Sequence, residues 1–296
     1  MPLDTTPAIP DVTALARPSG GFAMLAVDQR EAMRQMFQQF QADPVSDAQV
    51  TAFKLAAVRA LSPHASAVLL DKQFVLDRAL DEGAVAPSCA VIAAADRFHA
   101  GADEVVADVE IDGDVDPDHY AARGVRALKL LVLYRPDEPA AGRIAMVERF
   151  VDRCRSAGLV SIIEPVSRTP RSRGPWDWDE GVIAAARELG ARGADLYKAE
   201  VPLHGAGDPD DVRRGCADIS AAVSSPWVVL SSGVDQDVFP TAVELACREG
   251  ASGFLAGRAV WQACIGAADV ESELSGGAVA RFQRLAEIVD AAQKGG

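Results

Sequence analysis

Eight short apolar runs, spaced fairly evenly and punctuated by Gly, Ser, Asp and Pro, limit what this chain can fold into more than any other feature. They are GFAMLAVD (21–28), ASAVLLD (65–71), CAVIAAAD (89–96), ALKLLVLY (127–134), GLVSIIEP (158–165), ADLYKAEVP (194–202), PWVVLSS (226–232) and GFLAGRAVW (253–261). Each is continuously apolar rather than alternating, the pattern of parallel strands covered on both faces. Helical patterns such as DAQVTAFKLAAVRALS, AGRIAMVERFVDRCRSAG and DVFPTAVELACREGA separate them, and several stop at Gly. Eight strand–helix alternations point to an α/β chain folded as a single (β/α)8 TIM barrel, and no GxGxxG follows the first run to suggest an open nucleotide-binding sheet. Residues 1–18, rich in Pro and Thr, read as a loosely attached N-terminal arm ahead of a barrel over 19–296. The third unit is irregular, and EVVADVEI within it reads as an extra short strand outside the barrel.

Composition narrows the function classes. A net charge of −14 and a pI near 4.7 argue against a nucleic-acid or anionic-membrane surface, which needs clustered Lys and Arg. Five dispersed cysteines with no CxxC read as reduced thiols, and no basic and apolar leader opens the chain, so a cytoplasmic location is expected. The four histidines form neither HxH nor HExxH, so no metal ligand set is evident.

In such a barrel the reactive groups gather at the C-terminal ends of the strands. Those ends carry Asp28, Gln29 and Arg30 after the first run, Asp71 and Lys72 after the second, Lys129 in the fourth, Glu164 in the fifth and Lys198 in the sixth. Ser231, Ser232 and Gly233 follow the seventh, and Gly257 and Arg258 fall in the eighth. Small residues in SSGV and AGRAVW let backbone amides approach an anion, at the place where barrels of this kind hold phosphate. The alternative is that these glycines serve tight turns and Arg258 pairs with a surface carboxylate.

The lysines raise the question of amine chemistry. A lysine set in a buried strand must be paired or give up its proton, and a neutral Lys198 is a nucleophile toward ketones. Repulsion from Lys129 is expected to favour the neutral form, and Glu164 on the intervening strand is placed to shuttle protons. The plainer alternative is a Lys129–Glu164 pair that fills the barrel while Lys198 reaches solvent by its stem. The Arg-rich stretch SRTPRSRG (167–174) is expected to overhang the mouth, either attracting an anionic substrate or as a solvated charge run.

Taken together, ARPSGGFAMLAVDQREAMR, LSPHASAVLLDKQF, ALKLLVLYR, GLVSIIEPVSRTPR, GADLYKAEVPLHG, WVVLSSGVD and ASGFLAGRAVW resemble the class I sulfofructosephosphate aldolases of bacterial sulfoglycolysis. That branch is close to the tagatose-bisphosphate aldolases, and the resemblance runs from about residue 16 to residue 292. It implies Schiff-base cleavage of 6-deoxy-6-sulfofructose 1-phosphate to dihydroxyacetone phosphate and 3-sulfolactaldehyde, with no cofactor. It further implies that Lys198 is the Schiff-base lysine, Lys129 and Glu164 are its helpers, and Asp28, Gln29 and Arg30 match the family's DQR. Ser231, Gly233, Gly257 and Arg258 match its anion-binding turns, while Lys72 departs from the uncharged residue expected in some relatives. A homo-oligomer is implied as well. The rival readings are an aldolase of the same mechanism acting on tagatose or fructose 1,6-bisphosphate, and a sugar-phosphate-binding regulator without turnover.

Overall fold

A computed structural model describes residues 10–295. It contains ten strands in chain order: β1 (Phe22–Val27), β2 (Ala67–Asp71), β3 (Ala90–Ala94), β4 (Asp96–His99), β5 (Asp108–Ile111), β6 (Val125–Tyr134), β7 (Val160–Ser167), β8 (Leu196–Glu200), β9 (Trp227–Leu230) and β10 (Gly253–Ala256). Eight of them close a parallel barrel in the order β1-β2-β3-β6-β7-β8-β9-β10 and back to β1, and helices alternate with them along the chain. This is the (β/α)8 barrel that the eight runs predict.

The continuous runs are explained by two-sided burial. Alternate side chains of each strand point to opposite faces. One set, including Met24, Leu69, Ile92, Ile162, Leu196 and Leu255, fills the barrel interior. The other, including Leu25, Leu70, Ile163, Tyr197 and Val229, packs under the helices with Phe239, Phe254 and Phe282. Helix starts follow local chemistry. Ser46 Oγ accepts the Gln49 N–H at 3.1 Å to open Asp47–Leu61, and Asp208 caps Pro209–Ala222 with Pro209 in the first turn.

Three details differ from expectation. The eighth run ends as a strand at Ala256, and Arg258–Trp261 is a helical turn. The chain turns there because Gly257 packs on the Ala26 carbonyl, where a Cβ would clash, and Trp261 Nε1 donates to that same carbonyl at 2.9 Å. The third run also stops early. Strand β3 ends at Ala94, and Asp96–His99 turns away to pair antiparallel with Asp108–Ile111, the expected extra strand, as a hairpin outside the barrel. Of the expected arm, residues 1–9 lie outside the described residues. Residues 10–18 are held rather than loose: Leu15 is fully buried against the barrel interior and Arg17 Nη2 lies 2.7 Å from Asp290 Oδ2.

Strands β6 and β7 are the longest, paired from Ala127–Val160 to Tyr134–Ser167. They rise past the rim, so the hairpin, Arg135 and the segment after Ser167 form a raised wall on one side of the mouth. No helix among the described residues is long and apolar enough to cross a membrane.

Candidate active site

The polar centre is the next layer up on the same inward face as the apolar filling. Two residues beyond Ala26, Ala94, Ala127, Ile162 and Leu196 stand Asp28, Asp96, Lys129, Glu164 and Lys198. Period-two alternation therefore points all five into the barrel at its C-terminal end. Asp28, Lys129, Glu164 and Lys198 line a cavity of about 960 Å³ that also takes in Gln29, Arg30, Lys72, Ser231, Gly257 and Arg258, and Asp96 is held against Lys129.

Lys129 is completely buried and enclosed by carboxylates: its Nζ lies 2.7 Å from Asp28 Oδ2, 2.9 Å from Asp96 Oδ2 and 2.9 Å from Glu164 Oε2. Burial disfavours its charge, but Asp28, Asp96 and Glu164 together outweigh this and hold the ammonium well above its ordinary range. Burial likewise raises Asp28, yet Lys129, Lys198 and Arg30 overcome it and keep that carboxyl well below the usual carboxylate range. The repulsive role expected of Lys129 is thus blunted, because its charge is matched on three sides.

Lys198 is 3% exposed, and its Nζ lies 3.0 Å from Glu164 Oε1. Glu164 therefore touches both lysines, one with each oxygen. The plainer alternative is half realised: the Lys129–Glu164 pair exists, but Lys198 turns inward instead of reaching solvent. The arrangement offers a buried primary amine, a carboxylate in contact with it to move protons, and a fixed cation behind that carboxylate.

The turns after β9 and β10 bring Ser231, Ser232 and Arg258 together. Arg258 Nη2 donates to Ser232 Oγ, and the Ala259 N–H points at Ser231 Oγ over 3.5 Å. Burial lowers the Arg258 guanidinium's hold on its proton, Glu164 raises it and Arg168 lowers it again, yet an arginine stays charged throughout. Gly233 sits apart from this group, in a neighbouring cavity that shares Ser231 and Arg258. Its φ of +75° and the His204 ring beside it leave no room for a side chain.

On the other side Arg30 is engaged by the hairpin. Its Nη1 donates to Asp96 O at 2.8 Å, its Nη2 to Asp96 Oδ1 at 2.7 Å, and its guanidinium lies 4.2 Å over the Phe98 ring. Lys72 Nζ donates to Asp114 O at 2.6 Å. Asp71 turns beneath the site to pair with the fully buried Lys54.

The Arg-rich segment divides. Arg168 lines the cavity. Arg171 instead binds Asp108 and Glu138, and Arg173 binds Asp103, which stitches this segment to the hairpin side of the mouth. Those two arginines are ion-paired rather than offered to a substrate. Sequence reasoning passed over Asp96 and Glu200. Asp96 had a signal: the first three runs all close on Asp, and Asp28, Asp71 and Asp96 each hold a buried lysine. Glu200 is 3% exposed on β8 and accepts the Ser167 N–H at 2.7 Å through Oε2. Among the described residues no group of three or more His, Cys, Asp or Glu is placed to hold a metal ion.

Comparison with known proteins agrees with this architecture. Tagatose 1,6-diphosphate aldolase of Listeria monocytogenes is 27% identical over 273 residues, spanning 83% of this chain and 79% of the relative. The Staphylococcus aureus protein of the same name is 23% identical over 288 residues, spanning 87% and 85%. In fold the chain is similar to a fructose-bisphosphate aldolase of Plasmodium falciparum, with a TM-score of 0.65 and 15% identity over 98% of this chain and 97% of that one. It is similar also to an archaeal fructose-1,6-bisphosphate aldolase whose catalytic lysine carries the carbinolamine of its substrate, with a TM-score of 0.60 and 15% identity over 94% and 97%. The model of the DeoC/LacD family aldolases matches residues 22–263. The chain belongs to that family and is an aldehyde-lyase.

Proposed function

We propose that the protein is a class I aldolase that cleaves a ketose 1-phosphate through a Schiff base on Lys198. The observation that carries this reading is the contact between Lys198 Nζ and Glu164 Oε1 at 3.0 Å inside the barrel. A neutral Lys198 adds to the C2 ketone, and Glu164 receives and returns the protons that turn the carbinolamine into a protonated imine. Lys129 keeps Glu164 in place and offsets its charge. With the imine as electron sink, a base takes the C4 hydroxyl proton and the C3–C4 bond breaks. The aldehyde leaves, the enamine takes a proton at C3, and water releases dihydroxyacetone phosphate and the free amine.

The substrate of this reading is 6-deoxy-6-sulfofructose 1-phosphate, which leaves 3-sulfolactaldehyde as the aldehyde. The phosphate goes to the turns after β9 and β10, at Ser231, Ser232, Gly257 and Arg258, where such barrels hold phosphate. The C6 group then faces Arg30 and Lys72. Both already have partners, Asp96 and the Asp114 carbonyl, so few donors remain free. That suits a sulfonate, a monoanion with three acceptor oxygens and no proton to give, better than a phosphate dianion.

The second reading, tagatose 1,6-bisphosphate, is favoured by the activity of the named relatives. Lys198, Glu164 and Lys129 serve either substrate. A competition assay with equal sulfofructose 1-phosphate and tagatose 1,6-bisphosphate separates them. Sulfolactaldehyde in large excess supports the sulfonate; an excess of glyceraldehyde 3-phosphate overturns it and leaves the mechanism standing.

A further inference from the structure

Glu200 is a buried carboxylate that the catalytic steps do not use. It stands two residues after Lys198 on β8, on the same inward face, and lies opposite Leu230 of β9 in register. Through Oε2 it accepts the Ser167 N–H at 2.7 Å, and its Oε1 lies 3.8 Å from Arg168 Nη1. That arginine lines the cavity and folds back so that Nη1 donates to Ser167 O at 2.8 Å. Strand β7 thus sets Glu164, and Arg168 just past the strand's end, near Glu200, the turn after β10 brings Arg258, and β9 places Leu230 opposite it. Lys198 precedes it on its own strand, with Tyr197 on the other face.

We propose that Glu200 competes with the substrate's anionic end for Arg168, holding the guanidinium while the site is empty and surrendering it by taking up a proton when the anion arrives. The inference rests on the reading that the β9–β10 side of the cavity holds the phosphate, since Arg168 acts on Arg258 there. Glu200 is poised for it: burial, helped by Glu164, pushes its carboxyl up to about 7 against the opposing pull of Arg168, the Ser167 N–H and Arg258. A tetrahedral anion placed beside Arg168 adds negative charge near the carboxylate and draws away its cation. Both effects raise its proton affinity further. The proton comes from solvent, and no covalent bond of the substrate changes. By linkage the anion then binds more tightly at low pH and more weakly as pH rises through the carboxyl's titration.

Inorganic sulfate is the probe, because it has no proton to lose in this range. Calorimetric titration of the full-length protein in two buffers of different ionisation heat gives both the Kd and the protons taken up. The expected result is a Kd that weakens by up to about tenfold per pH unit above the titration, with uptake of up to roughly one proton per sulfate. Glu200→Gln, a permanent mimic of the protonated acid, should bind at every pH as the wild type does at low pH. Arg168→Ala, which leaves Glu200 in place, should bind weakly with a flattened slope, and melting curves of both variants establish that they fold. Absent sulfate binding, a pH-independent wild-type Kd, or an unchanged slope in either variant would overturn the proposal. Borohydride trapping with dihydroxyacetone phosphate reports separately on the Schiff base, so loss of the aldolase mechanism and loss of this inference are read from different experiments.

Discussion

Lys198 Nζ and Glu164 Oε1 lie 3.0 Å apart on neighbouring strands, and Lys129 takes the other Glu164 oxygen at 2.9 Å. One carboxylate thus serves a candidate nucleophile and a fixed cation at once. In the mechanism we propose, the amine loses and regains a proton during each turnover, and the carboxylate proposed to carry it is already in contact.

The Glu164→Gln variant keeps the side-chain shape but cannot carry a proton. Its turnover should fall by about 10²–10⁴-fold, the range for removal of a general acid–base group. Because dehydration of the carbinolamine is the step that needs it most, rapid quench and mass spectrometry should show the hydrated adduct accumulating. A variant that turns over normally would remove Glu164 from the proton path.

Lys129→Met removes the cation that three carboxylates share, and should cost about 3–5 kcal/mol of stability, the usual penalty for leaving buried charge unpaired. The pH dependence follows from the two shifts. Asp28 titrates below its ordinary 3.8 in the fold, so its contribution is full above that value and lost as pH falls through the lower folded one. Lys129 titrates above its ordinary 10.5, so its contribution is full below that value and lost as pH rises through the higher folded one. The wild-type contribution of the pair is therefore level between about pH 5 and pH 9, whereas in the variant the unpaired buried carboxylates take up protons, so the stability difference in denaturant melts should widen as pH rises. A difference that vanishes near neutrality would contradict the enclosed-cation account.

Much of this was legible in the sequence because burial on both faces leaves an unmistakable trace. Eight continuous runs located all eight barrel strands, and the polar residues at their C-terminal ends include Asp28, Lys129, Glu164 and Lys198 of the inward layer. What was hidden depends on contacts between distant segments. Nothing near Arg171 or Arg173 announces that Asp108 and Asp103, 63 and 70 residues away, neutralise them. The third run is unbroken through Asp96 in sequence, yet the chain leaves the barrel after Ala94. Glu200 carries the same local mark as Lys198, a charge set in a buried run two residues further on, but its partners Ser167 and Arg168 lie on another strand and leave no trace beside it in sequence.

The division between an ion-paired arginine outside the cavity and one lining it can be read from kinetics. Arg173→Ala breaks an exposed pair with Asp103, worth about 0.2–1 kcal/mol, and should leave KM unchanged. Arg258→Ala removes a charged donor from the proposed phosphate site and should raise KM by roughly 10- to 100-fold. Equal effects from the two variants would mean that the substrate lies under the 171–173 segment instead.

Borohydride trapping tests the central claim most directly. The protein is incubated with dihydroxyacetone phosphate, reduced, digested and mapped by mass spectrometry, with Lys198→Met in parallel. The account predicts a stable adduct on the peptide containing Lys198 and none in the variant. An adduct on Lys129, or no adduct from an enzyme that is turning over, would contradict it.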